Sequence, residues 1–171
     1  RMGGTNSYRA GGVAIGILTA VSDFLKGAVS VWGASWLFAD KVDPLLLPWI
    51  VTTGGVMAVI GHNWSIFLKF KGGAGTGPNV GWASGNWLPM LPVAFLVMLG
   101  LFWLIGMASV ASMAMALVIP LIFGIRYFMG IAPTPAYMVG GLITCLAVGW
   151  ALRPNFKRIA AGNERVVGPR A

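Results

Sequence analysis

Apolar residues fill this chain in long runs, and short polar clusters mark where the runs end. From Ala10 to Ala39 the only charges are Asp23 and Lys26, and there is no proline. A helix that crosses a bilayer needs about 20 mostly apolar residues, so this run predicts one long spanning helix. Asp40-Lys41-Val42-Asp43-Pro44 reads as a turn. Leu45 to Ile60 predicts a second, shorter span, interrupted by Pro48 and the Gly54-Gly55 pair. Gly61 to Gly81 has the composition of a loop, with His62, Asn63, Lys69, Lys71 and a series of glycines. No charge occurs between Gly72 and Ile125. That stretch predicts helices over about Leu88–Ile105 and Ala108–Phe123, with a break at Gly106-Met107. A last span runs from Pro135 to Leu152, and a polar, basic tail follows it.

Composition agrees with the pattern. Of 171 residues, 57% are hydrophobic and 9% charged, whereas soluble domains carry roughly 25% charged residues. The expected fold class is all-α, a polytopic transmembrane helix bundle forming a single domain over residues 1–171. Cys145 lies alone in an apolar run and reads as a small core residue. It has no neighbours at metal-ligand spacing, and no metal or other cofactor is expected.

Charge sets the orientation. Lys and Arg outnumber Asp and Glu by 12 to 4. They sit beside the apolar runs, which points to cytoplasmic loops and to anionic lipid or phosphate partners, not to nucleic acid. Arg1, Arg9, Lys69, Lys71, Arg153, Lys157, Arg158, Arg165 and Arg170 belong on the cytoplasmic side, and Lys41 and Arg126 on the outer one. Five spans starting inside would strand the basic tail outside, so a sixth crossing is expected. Ala74–Trp87 is the free segment, short or partly re-entrant at about 21 Å of helix.

Polar residues gather toward one face. If Ala39 marks the outer interface, Asp23 lies about 24 Å deeper along its helix, near the cytoplasmic side. Asp23 and Lys26 are three residues apart and can pair, either as a structural ion pair or as part of a site. Lys69-Phe70-Lys71-Gly72-Gly73-Ala74-Gly75-Thr76-Gly77 is a basic, glycine-rich loop whose backbone N–H groups can approach an anion. His62, the single histidine, reads either as a packing residue or as an acid–base group. Ser109 and Ser112 fall at the break between two spans. Asn155, Arg158 and Glu164 lie just past the last one.

Together these blocks resemble the bacterial acyl-phosphate-dependent glycerol-3-phosphate acyltransferases, the PlsY family. Gly3-Gly4-Thr5-Asn6 with Arg9 is similar to the end of the family's first motif, and Asp23-Phe24-Leu25-Lys26-Gly27 to its Asp-x-x-Lys-Gly helix. Gly61 to Gly73 resembles the second motif, and Asn155, Arg158 and Gly162-Asn163-Glu164 the third. Ser109-Val110-Ala111-Ser112 looks like a Ser-Leu-Ala-Ser step between two late helices. The resemblance implies transfer of a fatty acyl group from acyl phosphate to the 1-hydroxyl of glycerol 3-phosphate, giving lysophosphatidate for phospholipid synthesis. It also implies seven helices with a cytoplasm-facing site in the cell membrane. This chain would then lack the first, which leaves the six crossings that charge parity requires.

By that resemblance Arg9, Asn155, Ser109 and Ser112 are the expected catalytic residues. Thr5, Asn6, Lys71, Gly72, Gly73, Gly75 and Arg158 are expected to hold phosphate groups, with Asp23, Lys26, His62 and Glu164 in support. Implied partners are the two substrates, membrane lipid and an upstream enzyme that makes acyl phosphate. The chain departs from the family twice: Ala74 stands at a usual lysine and Leu152 at a usual histidine. An alternative reading is therefore a non-catalytic relative that binds lipid or a partner membrane protein.

Overall fold

A computed structural model describes residues 3–166, apart from the side chain of Thr5. Six α-helices form a bundle: α1 Gly4–Phe38, α2 Leu47–Asn63, α3 Thr76–Asn86, α4 Met90–Ile105, α5 Ala108–Phe128 and α6 Ala136–Ala160. Four of them (α1, α2, α5 and α6) belong to segments long and apolar enough to cross a membrane. Large apolar side chains such as Leu18, Trp36, Phe95 and Leu146 cover the outside. In water such a surface would be untenable; facing lipid it is ordinary. The chain is an integral membrane protein.

The shortest helix occupies the centre. At 11 residues α3 spans only about 16 Å, well short of a hydrocarbon core of about 30 Å, yet Pro78 to Ser84 are all buried. Trp82 is fully buried among three other helices. A Cβ on Gly55 of α2 would meet its Cβ at 2.6 Å and its ring at 2.8 Å, and one on Gly140 of α6 would lie 3.5 Å from the ring. The Phe123 ring of α5 is 5.7 Å from it. The Trp82 indole N–H donates to Asn79 Oδ1 at 2.7 Å, so the buried donor is satisfied within α3 itself.

What lets α3 sit so deep is backbone contact with α1. A Cβ on Gly81 would collide with the Phe24 carbonyl oxygen, and one on Gly27 with the Pro78 carbonyl oxygen. One turn either side, Gly77 faces Asp23 and Gly85 faces Val31. Gly77, Gly81 and Gly85 recur every fourth residue and therefore line one face of α3. Small residues at that spacing are how helices approach closely in lipid, where dispersion between backbones replaces the hydrophobic drive.

Several boundaries depart from the sequence expectation. The polar start of the chain is helical from Gly4, and α1 breaks at Gly12, which takes φ 80° and ψ −173°. The short piece before the break folds back along α1: a Cβ on Gly16 would lie 2.8 Å from Tyr8 Cβ, and one on Gly4 3.4 Å from Ala20 Cβ. α2 runs on to Asn63, so His62 and Asn63 are helical and not in a loop. α6 continues eight residues past Leu152, straight through Pro154, placing Asn155 and Arg158 on the helix and not in the tail. Proline removes one backbone hydrogen bond, but tail side chains discussed below hold this end. The break at Gly106, φ 72°, falls where expected.

Substituting Gly81 with leucine is expected to destabilise the fold by more than the ~1–3 kcal/mol of ordinary overpacking, because backbone and not a movable side chain blocks it. Gly33→Leu, where a Cβ meets nothing within 4 Å, should unfold like the parent. Thermal unfolding in detergent micelles compares the two; equal midpoints would rule out the α1–α3 contact.

Candidate active site

Helix direction brings the polar segments to one end of the bundle. α2 ends there, α3 and α5 begin there, and α6 finishes there. Arg126, at the far end of α5, stacks over the Trp87 ring at 4.2 Å, marking the opposite end together with Lys41. Two levels can be distinguished at the site end. Asn63, closing α2, donates through Nδ2 to the Ala147 carbonyl of α6 at 3.3 Å. Asn155 lies eight residues farther along α6, about 12 Å beyond that level.

On the recessed level, Asp23 is buried in α1 and accepts from Lys26 Nζ at 2.7 Å. His62 Nδ1 of α2 approaches the same carboxylate oxygen at 3.4 Å, with its side chain 8% exposed. The expected Asp23–Lys26 pair therefore forms, and it also ties α1 to α2. The His62 backbone fixes the glycine loop, since Gly73 N–H donates to the His62 carbonyl at 3.3 Å and Gly72 N–H to the Asn63 carbonyl at 3.2 Å. A Cβ on Gly72 would strike that same His62 oxygen.

These bonds change which donors an anion could meet. Gly72 and Gly73 use their N–H groups to pin the loop. By contrast, the N–H groups of Ala74, Gly75, Thr76 and Gly77 donate to no described residue. They are the unsatisfied first turn of α3, reached through Gly75 at φ 80°. Such a turn attracts negative charge. Lys71 is exposed just before it.

On the outer level Glu164 is the hub. Its Oε1 accepts from Ser109 Oγ at 2.7 Å and from Asn155 Nδ2 at 2.8 Å, and its Oε2 from Arg158 Nε at 2.8 Å. The carboxylate side chain is 6% exposed. Burial alone would push its pKa up, but hydrogen bonds from Asn155, Ser109 and Arg158, with the Arg158 charge, outweigh this and hold it below the usual value. It is ionised at neutral pH. Arg158 is anchored through Nε, and its side chain is 46% exposed with the terminal amino groups unpaired among the described residues. Gly162, at φ 68°, turns the chain so that Glu164 can fold back.

Of the expected residues, the structure gathers Ser109, Asn155, Arg158 and Glu164 around one carboxylate. It joins Asp23, Lys26 and His62 beneath the glycine loop. Ser112 lies one turn along α5 and does not reach Glu164. Arg9 is exposed on the folded-back start of α1 and makes no ion pair among the described residues, while Asn6 is exposed nearby. The Thr5 side chain, Arg1 and Arg170 lie outside the described residues. Sequence reasoning missed Asn63, which braces α2 against α6 and lies under Gly75. It also missed the glycine face of α3, although the four-residue spacing was there to be read.

The sequence pattern of the glycerol-3-phosphate acyltransferase family matches residues 1–162. A glycerol-3-phosphate acyltransferase of Rubrobacter xylanophilus is 31% identical over 170 residues, covering 99% of this chain and 79% of that protein. Glycerol-3-phosphate acyltransferase 2 of Moorella thermoacetica is 33% identical over 174 residues, covering 99% and 81%. The crystal structure of PlsY (YgiH), an integral membrane glycerol 3-phosphate acyltransferase, in its lysophosphatidic acid form superposes with a TM-score of 0.81. It is 27% identical, with 97% of this chain and 79% of that one covered. Its glycerol 3-phosphate form gives the same score. The chain belongs to the glycerol-3-phosphate acyltransferase family.

The Glu164 hub predicts a pH signature. A carboxylate whose folded pKa is lowered stabilises the fold fully above its ordinary value of 4.5. That contribution fades as pH falls through the lower folded value. Thermal midpoints of the full chain in detergent should therefore drop on acidification. Glu164→Gln should start lower at neutral pH and lose less on acidification. Parallel curves for the two proteins would show that the hub carries no stability.

Proposed function

We propose that this member of the family takes its acyl group from acyl phosphate and delivers it to the 1-hydroxyl of glycerol 3-phosphate at the cytoplasmic face of the cell membrane. The observation that carries the reading is the convergence of Ser109, Asn155 and Arg158 on Glu164, at the end of the bundle where α3 opens. Basic residues concentrate at that end, which by the positive-inside rule faces the cytoplasm.

The chemistry follows from the donors available. The hydroxyl oxygen attacks the acyl carbonyl carbon, the bond from that carbon to the phosphate oxygen breaks, and inorganic phosphate leaves. The hydroxyl proton goes to a phosphate oxygen of the substrate, because Glu164 is held ionised by three donors and is a poor base. Arg158 offers its terminal amino groups to one phosphate. The N–H groups of Ala74 to Gly77, with Lys71 and Arg9, offer charge and donors to the other. Positioned donors of this kind stabilise negative charge as it develops on the carbonyl oxygen. Ser109 donates its hydroxyl hydrogen bond to Glu164, so its oxygen is set to accept from a glycerol hydroxyl. Asn155 holds the same carboxylate and borders the same space. Acyl chain and product both reside in the surrounding bilayer.

Ala74 and Leu152 favour one rival, a relative without catalysis. Leu152 is 3% exposed, so a core side chain fills the place of the family's usual histidine. Supplying acyl phosphate and glycerol 3-phosphate to the membrane-embedded full-length protein decides between the two: lysophosphatidate forms or it does not. In the active protein Arg9→Ala is expected to abolish transfer while insertion is unaffected. Each charge-assisted bond lost costs about 1.5–3 kcal/mol. Undiminished turnover would remove Arg9 from the site.

A further inference from the structure

The segment from Ser65 to Lys71 takes no part in the acyl-transfer reading except through Lys71, and its shape is unusual. Ile66, Phe67 and Phe70 are 76%, 97% and 63% exposed, in the basic loop that joins α2 to α3. Lys69 and Phe70 both adopt left-handed backbone, with φ 51° and 61°. For bulky residues that conformation is costly and persists only when the surroundings impose it. Here four backbone bonds impose it: Leu68 and Phe70 donate to the Ser65 carbonyl at 3.1 and 2.8 Å, Lys69 to Ile66 at 3.1 Å, and Lys71 to Leu68 at 3.0 Å. The result is a closed knuckle with apolar side chains outward and two lysines among them. No acidic residue lies between Asp43 and Glu164 to offset those lysines.

Depth identifies the surroundings. α2 has 17 residues and is about 26 Å long, nearly the thickness of the hydrocarbon core. The knuckle that follows it therefore sits at the lipid–water boundary. At the same end of α6, Trp150 is exposed with Arg153 stacked on its ring at 3.4 Å, an interfacial arrangement of the same type.

We propose that the Ser65–Lys71 knuckle inserts Phe67 and Phe70 into the cytoplasmic leaflet and binds an anionic phospholipid headgroup through Lys69. Apolar side chains bury beneath the headgroups while the Lys69 ammonium remains at phosphate level. The inference does not depend on which acyl donor is used, nor on catalysis.

The test uses the full chain in phosphatidylglycerol-containing vesicles. A nitroxide is placed at Phe67→Cys in a Cys145→Ala background, with a second label at Lys157→Cys as the water-exposed reference. The position-67 label should be accessible to oxygen and shielded from a water-soluble nickel complex, and the position-157 label the reverse. Nickel accessibility at 67 equal to that at 157 would overturn insertion. A second measurement needs no label. Mass spectrometry of lipid retained by the purified protein should show about fivefold weaker phosphatidylglycerol enrichment for Lys69→Gln, the step expected from one lysine at an anionic surface. Unchanged enrichment would overturn the headgroup assignment. Because Lys69 and Phe67 lie outside the proposed transfer machinery, both readouts stand whether or not the chain makes lysophosphatidate.

Discussion

Everything in this bundle depends on two helices approaching until their backbones touch. At about 16 Å α3 is much shorter than the hydrocarbon core, although the chain runs through it from the site end to Trp87 at the opposite end, so it exists at that depth only if protein surrounds it on all sides. Lipid cannot hydrogen-bond the exposed ends of a short helix, and non-spanning backbone survives in a bilayer only inside a protein or at a cavity. Gly27 and Gly81 allow α1 to supply that cover. Trp82 then fills the space between α2, α5 and α6, so the short helix becomes the element against which the long ones are registered.

The site follows from the same placement. Because α3 stops short, its first turn opens below the ends of the neighbouring helices, with N–H groups that meet no other described residue. Asp23, His62 and Asn63 fix the loop leading into that turn. Higher up, the tail returns to put one carboxylate between α5 and α6. A buried carboxylate is stable only when donors surround it, so Ser109, Asn155 and Arg158 are gathered by a demand of Glu164's own. The same gathering leaves the Arg158 amino groups facing outward. In the proposed function, the atoms that stabilise Glu164 are also those offered to substrate.

How far the sequence could be read differs by element. Hydropathy located the long helices and the Gly106 break, since a spanning run is long and nearly free of charge. It missed where helices outlast their apolar runs. His62, Asn63, Asn155 and Arg158 look like loop residues by polarity, yet helix continues because neighbouring segments satisfy them. The Asp23–Lys26 pair was legible from a three-residue spacing, whereas His62 joining it from α2 was not, because that contact is made in three dimensions. That the N–H groups of Gly72 and Gly73 bond within the protein was not legible, for a related reason. Glycine composition signals close backbone approach without saying what approaches, and here it is the carbonyl end of α2. Glu164 was visible only as part of a motif; its three donors come from segments as far as 55 residues away.

The central claim is that the first turn of α3 and the Glu164 cluster open on one shared substrate site. A structure of the full-length protein in lipid with glycerol 3-phosphate bound tests it most directly. The account predicts the glycerol lying between the two levels, with Arg158 on the phosphate and Ser109 within hydrogen-bond distance of a hydroxyl. A substrate bound at the opposite end, beside Arg126 and Trp87, would contradict it.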